Sequence, residues 1–190
     1  MPTRLILVRH GRTKWNAQKR YLGVTDIPLD GEGARQAERV RRKLKSEKVS
    51  KVYSSDSKRA LDFAKVTFRD CPIEKRRELR EMDFGIFEGM TYSRVMKKYP
   101  ALYTNWLRDP FNTTIPKGES FKDVKERVLE IFREITAINK NRTLAVVTHA
   151  GPIRIIISDI LKSKKFWDIM PDLGGINIVE FRRGKLYWVR

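Results

Sequence analysis

Two short, unbroken apolar runs dominate this chain: Leu5-Ile6-Leu7-Val8 near its start and Thr143-Leu144-Ala145-Val146-Val147 near its end. A run of that length without polar alternation is the pattern of a strand buried on both faces, which requires helices on both sides of a sheet. Each run stops at a histidine, in Arg9-His10-Gly11 and in Thr148-His149-Ala150-Gly151, and a helix-competent segment follows each. These are the only two histidines in 190 residues. Ligands bind at the carboxyl ends of strands in open α/β sheets. Free N–H groups at a helix N-terminus favour an anion there. Two histidines in the same context therefore point to convergence on one anion site.

The rest of the chain fits an alternating pattern. Asp30 is a candidate cap for a helix with Ala34, Ala37, Val40 and Leu44 on its apolar side. Lys51-Val52-Tyr53-Ser54 reads as a strand, followed by a helix from Ser55 to about Arg69. From Met82 to Pro116 the chain is aromatic and irregular, with one or two short helices over Tyr92 to Arg108 broken at Pro100. Ser120 and Asp123 form a capping-box-like start, and Phe121, Val124, Val128, Phe132 and Ile135 mark one long helical face. Pro152 stands just inside a further helix reaching Leu161. Ile176 to Phe181 and Lys185 to Val189 read as a hairpin turned at Arg183-Gly184. This predicts a single α/β domain with a mostly parallel central sheet flanked by helices. A small helical or irregular cap is expected at about residues 82–118.

Composition narrows the function. With 41% hydrophobic residues the chain can build a core, and no apolar run approaches a membrane span. The N-terminus has no signal-peptide pattern, and the single cysteine, Cys71, permits no internal disulfide, so a cytoplasmic location is expected. Two histidines and one cysteine cannot form a nitrogen/sulfur zinc site unaided, and no metal or cofactor is expected. The net charge of +18 attracts anions in general. No nucleic-acid-reading motif accompanies it, so Arg39 to Lys45 is read as the solvated face of an amphipathic helix.

An ordered series of motifs adds to this reading. Leu7-Val8-Arg9-His10-Gly11-Arg12-Thr13-Lys14-Trp15-Asn16 resembles the signature of the histidine phosphatase superfamily, also called phosphoglycerate mutase-like. Gly23 to Leu29, Ser54-Ser55-Asp56-Ser57-Lys58-Arg59-Ala60, Leu79-Arg80-Glu81, Pro116 to Ser120 and Val147 to Gly151 match its later landmarks in order. The resemblance implies a three-layer sandwich and a phosphohistidine mechanism. His10 would be the nucleophile and His149 a donor to the transferring phosphoryl group. Arg9, Arg59, Asn16 and Gly23 would bind substrate, and Glu81 would serve as acid and base, with Glu88, Glu78 and Asp83 as nearby alternatives. Such a carboxyl needs a raised pKa, which burial beside a phosphate dianion would supply. Arg12 and Phe87 depart from the usual family residues; Arg12 is expected to point into solvent.

Within the superfamily, the end of the chain at Arg190 leaves no tail like those of mutases, so hydrolysis is favoured over transfer. Phe84 to Tyr92, Tyr99-Pro100 and Trp106 to Pro110 resemble the α-ribazole phosphatases of cobalamin synthesis. That implies Tyr99, Tyr103 and Trp106 stacking on a benzimidazole-type base, although packing of cap on core explains the same rings. A broad-specificity or sugar-phosphate phosphatase and a phosphoglycerate mutase remain alternatives, as does a basic interaction protein on the same fold. The expected partner is a small phosphomonoester, with the chain a monomer or homodimer and no specific nucleic acid or membrane involved.

Overall fold

A computed structural model describes residues 2–162 and 166–189. In chain order it contains β1 (Thr3–Arg9), α1 (Lys14–Ala17), α2 (Gly31–Lys43), β2 (Lys51–Ser55), α3 (Lys58–Thr67) and β3 (Ile73–Arg76). Then come α4 (Tyr92–Lys98), α5 (Pro100–Arg108), α6 (Phe121–Ile138), β4 (Thr143–Thr148), α7 (Ala150–Leu161), β5 (Ile176–Arg182) and β6 (Lys185–Trp188). The strands form one six-stranded sheet in the order β3-β2-β4-β1-β5-β6. β3, β2, β4 and β1 run parallel, β5 pairs antiparallel with β1, and β6 pairs antiparallel with β5. Among the described residues, no helix is long and apolar enough to cross a membrane.

The two-residue period of a strand divides the core. Leu5, Leu7, Leu144 and Val146 face a cluster shared with α6 and α7, including Val124, Val128 and Ile156. Ile6, Val8, Ala145 and Val147 face the other side, against Ala37 and Val40 of α2 and Phe63 of α3. β1 and β4, buried on both faces, are thus the central strands, and each large apolar side chain removed from water contributes about 1.5–3 kcal/mol. The caps anticipated from sequence form: Asp30 accepts from Gly33 N–H, and Ser120 with Asp123 makes a reciprocal box. Pro100 ends α4 and starts α5 at its first turn, where a missing N–H costs nothing.

Three details depart from expectation. Ser55 is not helical; it pairs with Arg76 as the last residue of β2, and α3 starts only at Lys58. β3 has a single apolar residue, Ile73, and its strand identity comes from pairing with β2 rather than from its own pattern. Arg12 pairs with Asp30 at 2.8 Å, which ties the loop after β1 to the cap of α2. That junction is tight enough to require glycine. A Cβ on Gly11 would lie 2.6 Å from the Gly33 carbonyl oxygen, and one on Gly33 would lie 2.2 Å from that of Arg12.

Candidate active site

Parallel pairing sets Arg9 of β1 beside Thr148 of β4, so the residues that follow, His10 and His149, emerge side by side at the carboxyl ends of the central strands. Their ring centroids are 5.0 Å apart at an interplanar angle of 64°. His10 Nδ1 lies 2.7 Å from the Gly11 carbonyl oxygen. A carbonyl only accepts, so Nδ1 carries the proton and Nε2 keeps its lone pair. Burial, then the charges of Arg59 and Arg9, hold the imidazole well below the usual histidine pKa, with the Gly11 bond opposing them. The ring is therefore neutral at physiological pH. His149 is fully buried and is held from its other side: Nε2 lies 2.9 Å from Ser55 Oγ and 3.2 Å from Ser57 Oγ. Its Nδ1 is buried without a partner among the described residues. Burial, and then Arg59, lower its pKa as well.

The arginines are fixed by backbone carbonyls. Arg9 Nη1 donates to Pro171 O at 2.7 Å, while Arg59 donates from Nη2 to Gly23 O at 2.7 Å and from Nη1 to Thr25 O at 3.1 Å. The Nε of each is buried and unpartnered. Burial brings Arg59 down to about 10, opposed by the charges of Glu81, Glu88 and Asp26, so it stays cationic at neutral pH. Asn16, on the single turn of α1, accepts at Oδ1 from Thr13 N–H (3.1 Å) and Thr13 Oγ1 (2.9 Å). The backbone N–H can only donate, so it fixes the amide with its NH₂ turned the other way.

Glu81 is nearly buried. Both its carboxylate oxygens accept from Gly151 N–H at 3.1 Å, and Oε1 also accepts from Met82 N–H at 3.0 Å. Gly151 lies in the first turn of α7, so the carboxylate occupies that helix's positive end. A Cβ on Gly151 would lie 2.2 Å from Glu81 Oε1, and only glycine allows the approach. The alternative carboxylates, Glu88, Glu78 and Asp83, do not line the cavity that Glu81 opens on. Glu88 accepts from Gly23 N–H, Val24 N–H and Thr25 Oγ1, and Asp83 accepts from Gly85 N–H. Gly23 thus has its N–H on Glu88 and its carbonyl on Arg59; it shapes the site through Arg59 and has no N–H to offer a substrate. Arg9, His10, Asn16 and Glu81 open on one cavity of about 360 Å³. A larger hollow of about 580 Å³ lies between α6, α7 and the β5–β6 hairpin. It holds neither histidine, and chemistry rather than size singles out the first.

The sequence model of the histidine phosphatase superfamily (branch 1) matches residues 5–190. The chain belongs to this superfamily. It is 32% identical to phosphoserine phosphatase 1 of Hydrogenobacter thermophilus over 182 residues, covering 93% of this chain and 85% of that protein. YhfR of Bacillus stearothermophilus superposes with a TM-score of 0.92 at 29% identity, over 98% of this chain and 95% of the other. The α-ribazole phosphatase of Shigella flexneri superposes with a TM-score of 0.89 over 98% and 95%, at 24% identity, a likeness of fold alone.

Beside the histidine phosphatase motifs, four residues enter the site that sequence reasoning did not single out. Ser55 and Ser57 hold His149 and could be found only once the end of β2 was known. Arg20 and Arg154 line the cavity. Arg154 donates from Nε to Ile169 O at 2.6 Å, and its guanidinium lies 5.3 Å from the Phe166 ring centre and 5.1 Å from that of Trp167. Its signal in the sequence was a lone cation inside Ile153-Arg154-Ile155-Ile156-Ile157. The cap aromatics pack chiefly on one another. Trp106 lies nearly parallel to Tyr103 and to Phe121, at interplanar angles of 23° and 20° with ring centres 6.1 Å apart, and Tyr99 packs on Phe87 away from the cavity.

Proposed function

We propose that this protein is a phosphomonoesterase that carries the phosphoryl group of its substrate on His10 Nε2. The observation that carries the proposal is a neutral imidazole with one free lone pair, packed on His149, whose Nδ1 is buried without a partner among the described residues, and under the charges of Arg59 and Arg9. A phosphoryl group offers His149 Nδ1 the oxygen it lacks and the two arginines an anion to balance. In the first step a bond forms from Nε2 to phosphorus as the bond to the ester oxygen breaks. Arg9, Arg59, His149 and the Asn16 amide stabilise charge on the phosphoryl oxygens. Glu81 gives its proton to the departing alkoxide. In the second step Glu81 takes a proton from water as that water attacks the phosphohistidine, and phosphate leaves.

Release of phosphate from p-nitrophenyl phosphate and from a panel of natural monoesters tests the proposal, with isotopically labelled water identifying the acceptor. Label in the released phosphate supports hydrolysis. Transfer between positions of phosphoglycerate supports the mutase alternative, and a folded protein inert towards every ester contradicts both. α-Ribazole phosphate belongs in the panel, because the cap motifs resemble those of its phosphatases. Stacking of its base on Trp106 would require a ring face freed from packing, since Trp106 is only 2% exposed.

A further inference from the structure

Cations outnumber carboxylates in the lining of the cavity. Arg9, Arg20 and Arg154 line it against the single lining carboxylate, Glu81, and Arg59 adds a fourth cation felt at His10. Arg76, Arg80 and Arg127, partly buried elsewhere, each pair with a carboxylate. No carboxylate of the described residues lies within 4.0 Å of Arg154, whose Nε alone is bonded, to Ile169 O. Arg154 is nonetheless held firmly, by that carbonyl and by the rings of Phe166 and Trp167. A fixed, partly buried guanidinium with an open fork and no carboxylate in contact among the described residues is arranged for an anion from outside. The phosphoryl site already has Arg9 and Arg59, so Arg154 is left for a second anionic group.

We infer that Arg154 binds a carboxylate of the substrate, which makes this a pocket for phosphomonoesters of small hydroxy acids and hydroxy amino acids. The inference rests on the phosphomonoesterase reading and adds a substrate class to it. Arg20, with Nη1 committed to Gly89 O at 2.7 Å, contributes to the field rather than to the grip.

O-Phosphoserine and O-phosphoethanolamine differ only by the carboxylate, and the ratio of their kcat/KM values is the readout. 3-Phosphoglycerate against glycerol 3-phosphate repeats the comparison without an ammonium group. The wild type is expected to prefer the acid of each pair by at least about tenfold, the scale of one charge-assisted contact. Arg154→Met should bring the ratio near unity, and Arg154→Lys, which keeps the charge and loses the fork, should retain part of it. A wild-type ratio near unity overturns the inference without any variant having to fold. An Arg154→Met protein that keeps the wild-type ratio while slowing on both esters also overturns it, and marks Arg154 as structural. In either case His10-dependent turnover leaves the phosphatase reading standing. If folded wild type hydrolyses none of these esters nor p-nitrophenyl phosphate, both fail together.

Discussion

The two central strands end in the same way, with a histidine followed by the start of a helix or loop, yet the two imidazoles are held by opposite nitrogens. At the end of β1, His10 is gripped at Nδ1 by the Gly11 carbonyl, a partner that can only accept. At the end of β4, His149 is gripped at Nε2 by the hydroxyls of Ser55 and Ser57, which can donate or accept, and Nδ1 is the open atom. The first arrangement fixes a lone pair in the cavity. The second lets the ring present an N–H to a phosphoryl oxygen while a serine donates to Nε2. With equal burial and the same surrounding arginines, the first ring thus suits the nucleophile proposed above and the second the proposed hydrogen-bond donor.

The contrast breaks most visibly when each ring is removed. His10→Ala should abolish turnover, a loss of about ten-thousand-fold or more, because no other group can carry the phosphoryl. His149→Ala should cost about 100–1,000-fold in kcat, the scale of one oxyanion-type donor. Equal losses from both, measured with the same ester, would remove the distinction.

Next in size is Gly151→Ala, which sets a methyl 2.2 Å from Glu81 Oε1 and displaces the carboxylate. A loss of about 100-fold is expected on alkyl phosphates and far less on p-nitrophenyl phosphate, whose leaving group needs no proton. A uniform loss on both esters would mean that Glu81 is not the acid.

Ser55→Ala is expected to cost about tenfold in kcat through a loosened His149, with Ser57→Ala costing less in line with its longer contact. Both changes should slow the phosphorylation of His10, because His149 donates to the phosphoryl group in that step, and burst kinetics would show it.

The smallest effect is on stability. The native pKa values of both histidines lie below 6.5, so below that pH the unfolded chain binds protons that the native protein refuses. Stability is therefore full above about pH 6.5 and falls as the pH drops. The urea midpoint should follow this slope in the wild type and follow it less in His10→Ala/His149→Ala. An unchanged slope would contradict neutral burial of the rings.

The strand ends were readable because a continuous apolar run followed by His leaves few alternatives. The capping residues Asp30, Ser120 and Pro100 were readable because their effects are local. What escaped the sequence was non-local. β3 exists through its neighbour, since Ile73-Glu74-Lys75-Arg76 has no strand period of its own. The grip of Ser55 on His149 spans 94 positions and depends on where β2 stops. Gly23 sits in a motif at the site, but its N–H is taken by Glu88, 65 residues on, which no spacing rule reveals. Arg154 lay in plain view, but its openness is a property of the cavity rather than of the helix pattern.

The most direct measurement is to quench the protein during turnover under alkaline conditions, which preserve phosphohistidine, and to locate the phosphoryl group by peptide mass spectrometry and phosphorus NMR. The account predicts a single modified residue, His10, phosphorylated at Nε2 and absent from His10→Ala. A phosphoryl group on His149, on Nδ1 of His10, or on no residue while label from water enters the product in one step, would contradict it.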